Sequence, residues 1–299
     1  MDLNNNNIIW SKGPLQNEYS KKHTESPASI IEIQNIIKSV TKENNIVFIR
    51  NGSNNNVNDL ELFTKHLHLL NNPIILFTTD GDRSMPSTHD YKIVKKLLKS
   101  NMIIKWYTQN YDKSVIHPKL KHFPIGFDLH TPNWLVNNSI SEKIKYMIKI
   151  RNNCPTDKRI STKILSDTHL SNSHPDRKRL YGLLKNNKHI YFLDNKLSFT
   201  EVTMLYNQFN FVLSPRGNGL DCHRTWDLFL AGVIVITKTS SLDDMYIKHN
   251  LPVVILKYWC ELNENNLETK LNQWYNTYIN RTSINNIFPK LTFNYWLNT

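Results

Sequence analysis

One stretch limits what this chain can become more than any other. Residues 211–237 run as apolar strand, glycine loop, short helix, glycine and second apolar strand. Phe211, Val212 and Leu213 form a short apolar run that stops at Ser214-Pro215, the pattern of a buried parallel strand. Arg216-Gly217-Asn218-Gly219 follows as a loop, whose two glycines can take positive φ and bring backbone N–H groups close to a ligand. Asp221 is placed to cap a helix that starts near Cys222 and ends at Gly232, before a second strand over 233–237.

The polar residues of that helix carry the chemistry. At about 100° per residue, Asp227 projects roughly 40° from His223 and about 60° from Arg224, so the three share one face. Trp226, Phe229 and Leu230 point elsewhere and suit the core. A positively polarised helix start, loop N–H groups, Arg216 and Arg224 together suit a phosphate or diphosphate. His223 can donate to a phosphate oxygen or serve the fold alone, and Asp227, one turn on, can accept hydrogen bonds from a ribose. The competing interpretation is an ordinary β-loop-α unit with a surface Arg–Asp pair at i,i+3. The coincidence of glycine loop, cap, two arginines and carboxylate favours a nucleotide site.

The run Ser214-Pro-Arg-Gly-Asn-Gly-Leu-Asp-Cys-His-Arg-Thr-Trp-Asp, then Ala231-Gly-Val-Ile-Val-Ile and Ser241-Leu-Asp-Asp-Met-Tyr, resembles the C-terminal signature of exostosin-like glycosyltransferases. The specific match covers residues 211–259. The resemblance implies that Arg224 holds a nucleotide sugar's diphosphate and Asp227 its ribose. Asp227 stands where that family usually has glutamate, one methylene longer, and Val233 replaces a cysteine often seen there. The resemblance further implies an inverting glycosyl transfer to a hydroxyl, by direct attack with base assistance.

A chain of 299 residues can hold one large or two small domains, and no apolar run is long enough to span a membrane. The start, Met1-Asp-Leu-Asn-Asn-Asn-Asn, lacks the basic and apolar regions of a signal peptide. Cys154, Cys222 and Cys260 are odd in number and widely spaced, which argues against a zinc site or disulfide framework. These features predict a soluble protein of the cytoplasm. The net charge of +12 comes largely from lysine, which with asparagine and isoleucine reflects A/T-rich codons. Without arginines and aromatics clustered on one element, nucleic acid is not an expected partner.

Upstream, apolar runs and helical spacings alternate. Strands are expected over 46–50, 74–78, 102–107 and 122–126, with helices over 59–70 and 90–99. Beyond a polar run at 151–157, strands at 163–165, 190–193 and 252–256 alternate with helices at 174–185, 199–206 and 264–278. The fold class is therefore α/β, with two Rossmann-like parallel-sheet halves. The expected division is an acceptor-side domain at 1–150, a nucleotide-sugar-binding domain at 151–275, and a segment at 276–299 packing back towards the N-terminal half. Sequence order and resemblance agree on a shortened glycosyltransferase B architecture, its halves facing a cleft.

Asp80-Gly81-Asp82 follows an expected strand. A D-x-D there can hold a metal ion on a sugar diphosphate, as in metal-dependent single-domain (glycosyltransferase A) enzymes, but Asp-Gly is equally a turn pair. The late glycine loop already supplies a metal-free diphosphate site, so no metal or cofactor is expected and the nucleotide sugar is the donor substrate. Asp80 and Asp82 are instead candidates for the base that deprotonates the acceptor hydroxyl, with His89, Asp128 and His130. Arg177 and Arg179 open a helix whose dipole they oppose, which either an anionic ligand or a solvated basic turn explains. A non-catalytic nucleotide- or sugar-binding protein is the second class of function compatible with these residues.

Overall fold

Alternating apolar runs and amphipathic segments become an α/β fold with two parallel sheets, of four and five strands. The structure, a computed structural model, describes residues 7–12, 19, 25–53, 57–128 and 140–299. The chain forms two compact units, and each is described by itself.

The N-terminal unit comprises Ile9–Ile125 with Asn218–Asp221. Its elements are α1 (Ile30–Lys38), β1 (Ile46–Arg50), α2 (Asp59–Lys65), β2 (Ile74–Thr79), α3 (Tyr91–Lys99), β3 (Ile103–Thr108) and β4 (Leu120–His122), with strand order β1-β2-β3-β4. A capping box starts α1: Ser29 accepts from the Glu32 amide, and the Glu32 carboxylate accepts from the Ser29 amide at 2.8 Å. Strand alternation sends Val47, Ile49, Leu76 and Trp106 into a core with Ile33, Phe63 and Leu97. Phe48, Phe77 and Tyr107 occupy intervening positions in register, their rings stacked at 4.9 and 4.8 Å. The helix expected over 59–70 ends at Lys65 and resumes as a 3₁₀ turn at Leu67–Leu69. The strand expected over 122–126 lies earlier, at Leu120–His122, because Pro124 has no N–H for a ladder and Gly126 turns to φ 68°.

The C-terminal unit comprises Gly126–Gly217 and Cys222–Thr299, joined by the stretch ending at Ile8. It contains α4 (Ile140–Asn153), β5 (Ile160–Ser166), α5 (Pro175–Leu184), β6 (Ile190–Phe192), α6 (Phe199–Tyr206), β7 (Phe209–Leu213) and α7 (His223–Leu230). There follow β8 (Ile234–Lys238), α8 (Asp243–Lys248), β9 (Val253–Leu256), α9 (Leu267–Tyr278), α10 (Ile284–Ile287) and α11 (Phe293–Leu297). The strand order is β6-β5-β7-β8-β9. The chain steps from β5 outward to β6 and then crosses back to β7, so the β5/β7 pair is a topological switch point. Ligands of open parallel sheets bind at the carboxyl ends of such a pair.

The division falls between Ile125 and Gly126, not near residue 150. Helix α4, which straddles the expected boundary, packs on α6 and α7 and so goes with the C-terminal unit. Residues 276–299 also belong to this unit. Trp296 meets Trp226 of α7 edge-on at 5.9 Å, and Thr292 forms an antiparallel bridge with Ile8. Among the described residues, no helix is long and apolar enough to cross a membrane.

Helix α7 is fixed from its far end. The Leu230 carbonyl accepts from Arg151 Nη1 at 3.0 Å, and those of Ala231 and Gly232 accept from Arg159 Nη1 at 3.0 and 3.1 Å. Burial, with Arg159 close by, pulls the Arg151 pKa down to about 10, so it remains a cation beside the negative end of the helix. Gly232 has φ 74°, and a Cβ there would stand 2.8 Å from Arg151 Cζ. Only glycine combines that left-handed turn with so close an arginine.

Candidate functional site

The carboxyl ends of β5 and β7 and the first turns of α7 bring four charged side chains together. Asp167, the residue after β5, receives Arg224 Nη1 on Oδ1 and the Tyr206 hydroxyl on Oδ2, the latter at 2.9 Å. Burial, opposed by Arg224 and reinforced by Asp167, pushes the Tyr206 phenol pKa up, so Tyr206 stays protonated and donates. Among the described residues, Asp167 is the sole hydrogen-bond acceptor of the Arg224 side chain. Arg224 therefore keeps Nε and its second amino group uncommitted. The N-cap of α7 is Cys222, and that residue's side chain makes no capping hydrogen bond to the first turn.

One turn further, Asp227 Oδ2 accepts from Lys143 Nζ at 3.0 Å, while Oδ1 is buried without a partner among the described residues. Lys143 comes from α4, has a side chain only 2% exposed, and also donates to the Asp128 carbonyl at 3.0 Å. Burial raises the Asp227 pKa to about 6, against the lowering effect of Lys143. The arrangement is thus two neighbouring ion pairs, Asp167–Arg224 and Lys143–Asp227. Unused donors remain on the first and an unused acceptor on the second.

His223, Arg224 and Asp227 do start one polar face, but His223 is engaged with the fold. Its Nδ1 lies 2.8 Å from the Gly126 carbonyl, which can only accept, so Nδ1 carries the proton. The N-cap position falls to Cys222 instead of Asp221, whose Oδ2 accepts from the Ile125 amide at 2.8 Å. The expectation of positive φ at the loop glycines is corrected as well, since neither Gly217 nor Gly219 adopts it. Glycine is needed at 219 because a Cβ would lie 2.9 Å from the Asn110 amide. At 217 it would stand 3.3 Å from Arg177 and 3.4 Å from the Cys222 sulfur. Asn218 and Gly219 are counted with the N-terminal unit, and Arg216 and Gly217 with the C-terminal one.

Arg177 and Arg179 separate completely. Arg177 is buried and bonds the loop, with Nε donating to the Arg216 carbonyl at 3.0 Å and Nη2 to that of Pro215 at 3.4 Å. Arg179 is 80% exposed and pairs with Asp176.

The base candidates are distributed over both units. Asp80, with φ 58°, directly follows β2 in the N-terminal unit; its Oδ2 receives Lys12 Nζ at 3.1 Å and Arg50 Nε at 3.3 Å. Its backbone N–H donates to Gln109 Oε1 at 3.2 Å, so Asp80 is built into a buried network as a counter-ion. A Cβ at Gly81 would fall 2.1 Å from the Gly52 carbonyl oxygen, which explains the glycine between the two aspartates. Asp82 is half-buried. His89 Nε2 contacts Asn51 Oδ1 at 3.2 Å, and burial first, then Arg83, lowers its pKa to about 4. Asp128 lies in the C-terminal unit, and His130 is outside the described residues.

Sequence reasoning missed Asp167, Tyr206 and Lys143. Asp167 had a usable signal, being the first polar residue beyond a strand of the switch point. No local pattern marks Lys143 or Tyr206. No protein-family model matches the chain, and no curated protein matches it either.

Proposed function

We propose that the C-terminal unit binds a nucleotide sugar and that the protein is an exostosin-like glycosyltransferase. The observation that carries this reading is the unfinished pairing on α7. Arg224, in the first turn of a helix whose N-cap residue makes no side-chain capping bond, has donors to spare, and Asp227, one turn on, has a buried oxygen without a partner among the described residues. A diphosphate supplies acceptors to the first and a ribose hydroxyl supplies a donor to the second, at the spacing of one helical turn.

In the proposed reaction the acceptor oxygen attacks the anomeric carbon and its proton passes to a base. The bond from that carbon to the diphosphate oxygen breaks, and the electron pair leaves with the diphosphate. Charge then grows on the departing oxygen, where Arg224 is placed to meet it. Arg224 thus acts in both binding and chemistry, with Arg216 and Gly217 as further contacts of the donor. No metal ion is required by this scheme.

The test is a thermal-shift screen of nucleotide sugars and nucleoside diphosphates, with and without EDTA, followed by donor hydrolysis. Stabilisation that survives EDTA, with slow hydrolysis, supports a metal-independent transferase. Stabilisation without any turnover would leave a nucleotide-binding protein, and loss of both with EDTA and in Asp82→Ala would point to a metal-dependent enzyme.

A further inference from the structure

We propose that Arg177 is a positioning residue that turns the amides of Arg216 and Gly217 towards the donor's phosphate; this rests on the reading of α7 as a diphosphate site. Arg177 is a buried cation whose hydrogen bonds go to two successive backbone carbonyls, of Pro215 and Arg216, and to the Cys222 sulfur at 3.8 Å. No carboxylate bonds it among the described residues. A fold that needed only packing at this position would be served by an apolar side chain, which carries no desolvation cost.

The consequence follows from peptide geometry. In a trans peptide the carbonyl oxygen and the next residue's N–H point in opposite directions. With the Pro215 oxygen turned to Arg177, the Arg216 N–H points away from it. With the Arg216 oxygen turned the same way, so does the Gly217 N–H. Two successive N–H groups facing one side form an anion-binding concavity. Arg177 fixes this orientation from behind, without touching the ligand. Gly217 is also held close to its partners, because a Cβ there would crowd both Arg177 Nη2 and the Cys222 sulfur. Arg177, Arg216 and Arg224 lie on or against this loop and helix start, and Asp167 is the carboxylate that pairs with Arg224. The balance suits a multiply charged anion such as a diphosphate.

The chain has only eight glycines, so protein labelled with ¹⁵N-glycine alone gives a spectrum simple enough to follow Gly217, assigned through Gly217→Ala. Inorganic pyrophosphate and a nucleoside diphosphate are the probes, titrated into wild type, Arg177→Lys and Arg177→Gln, with thermal melting as the folding check. In wild type the Gly217 amide proton should move downfield on saturation. Arg177→Gln should lose that shift and bind pyrophosphate at least tenfold more weakly while still folded, with Arg177→Lys intermediate. A purely structural arginine would lower the melting temperature and leave the shift and affinity of the folded protein unchanged, which overturns the proposal. So does pyrophosphate binding that moves other glycines but not Gly217, and in that case the diphosphate reading stands. If neither probe binds wild type, the diphosphate reading itself fails and takes this proposal with it.

Discussion

Two aspartates close to strand ends or helix starts, Asp80 in the N-terminal unit and Asp227 in the C-terminal one, live under opposite conditions. Asp80 shares one oxygen between Lys12 and Arg50, and its backbone is held by Gln109. Arg50 in turn donates to the carbonyls of Ser26 and Tyr19, and the Tyr19 hydroxyl donates to Asp59 at 2.7 Å. That network serves itself. Asp227 has one cation on one oxygen and, among the described residues, no partner on the other. A buried acceptor left unpaired costs about 1–3 kcal/mol, which a ligand donor can recover. The contrast separates a polar cluster whose charges are taken up within the fold from one with hydrogen-bonding capacity left over, although both carry a carboxylate in an otherwise suggestive motif.

The largest effect expected from this contrast is on stability. Asp80→Ala strips the counter-ion from Lys12 and Arg50 and should cost about 3–5 kcal/mol, the usual result of breaking a buried pair. Denaturant unfolding measures it, and donor affinity of the folded protein should be unchanged. An Asp80→Ala protein as stable as wild type would dissolve the comparison. On the other side, Arg224→Ala should weaken donor binding by about 2–5 kcal/mol, because it removes the ligand's donors and leaves Asp167 without its cation. Arg224→Lys keeps the charge but loses the planar fork, so kcat should fall more than donor affinity. A lysine variant with full kcat would reduce Arg224 to an anchor.

Asp227→Ala should weaken the donor by about 1–3 kcal/mol, and Asp227→Glu should be tolerated. Calorimetric titration of all three proteins decides; equal affinities remove Asp227 from the site. The pH dependence sharpens the point. With the folded pKa raised to about 6, the carboxylate form is lost as pH falls through that value, and donor affinity should fall with it. Stability runs the other way: this group's contribution is full below the ordinary aspartate range and is lost as pH rises through about 6. Lys143 opposes the rise, so in Lys143→Met the acid limb of donor binding should move to higher pH. An unmoved limb would show that another group sets it. The smallest effect is at Arg179, where alanine should change stability by no more than about 0.5 kcal/mol and leave pyrophosphate binding intact, unlike changes at its neighbour Arg177.

Much of the fold was legible because its signals are local. The apolar runs at 46–50, 74–78 and 211–213 fall within observed strands, and the helix at 199–206 agrees with the spacing of its apolar residues. Arg224 and Asp227 share a face because helical periodicity fixes that within one turn. Which partner each would find was not legible. Asp167 lies 57 residues from Arg224 and Lys143 lies 84 from Asp227, and no spacing rule spans such distances. Gly217 and Gly219 are explained by neighbours elsewhere in the chain, not by the positive φ that a glycine-rich loop suggests.

By itself, then, the sequence determined that this protein is α/β, where most of its strands run, and which helix carries opposite charges beside a glycine loop. Those properties follow from alternation, helical period and turn chemistry over a few residues. Tertiary structure decided the meaning of each charge: Asp80 and Arg177 are internal supports, whereas Arg224 and Asp227 keep unspent hydrogen-bonding capacity. The physical reason is that burial and pairing, which set whether a charge serves the fold or a ligand, are made by segments that meet only when the sheet has assembled.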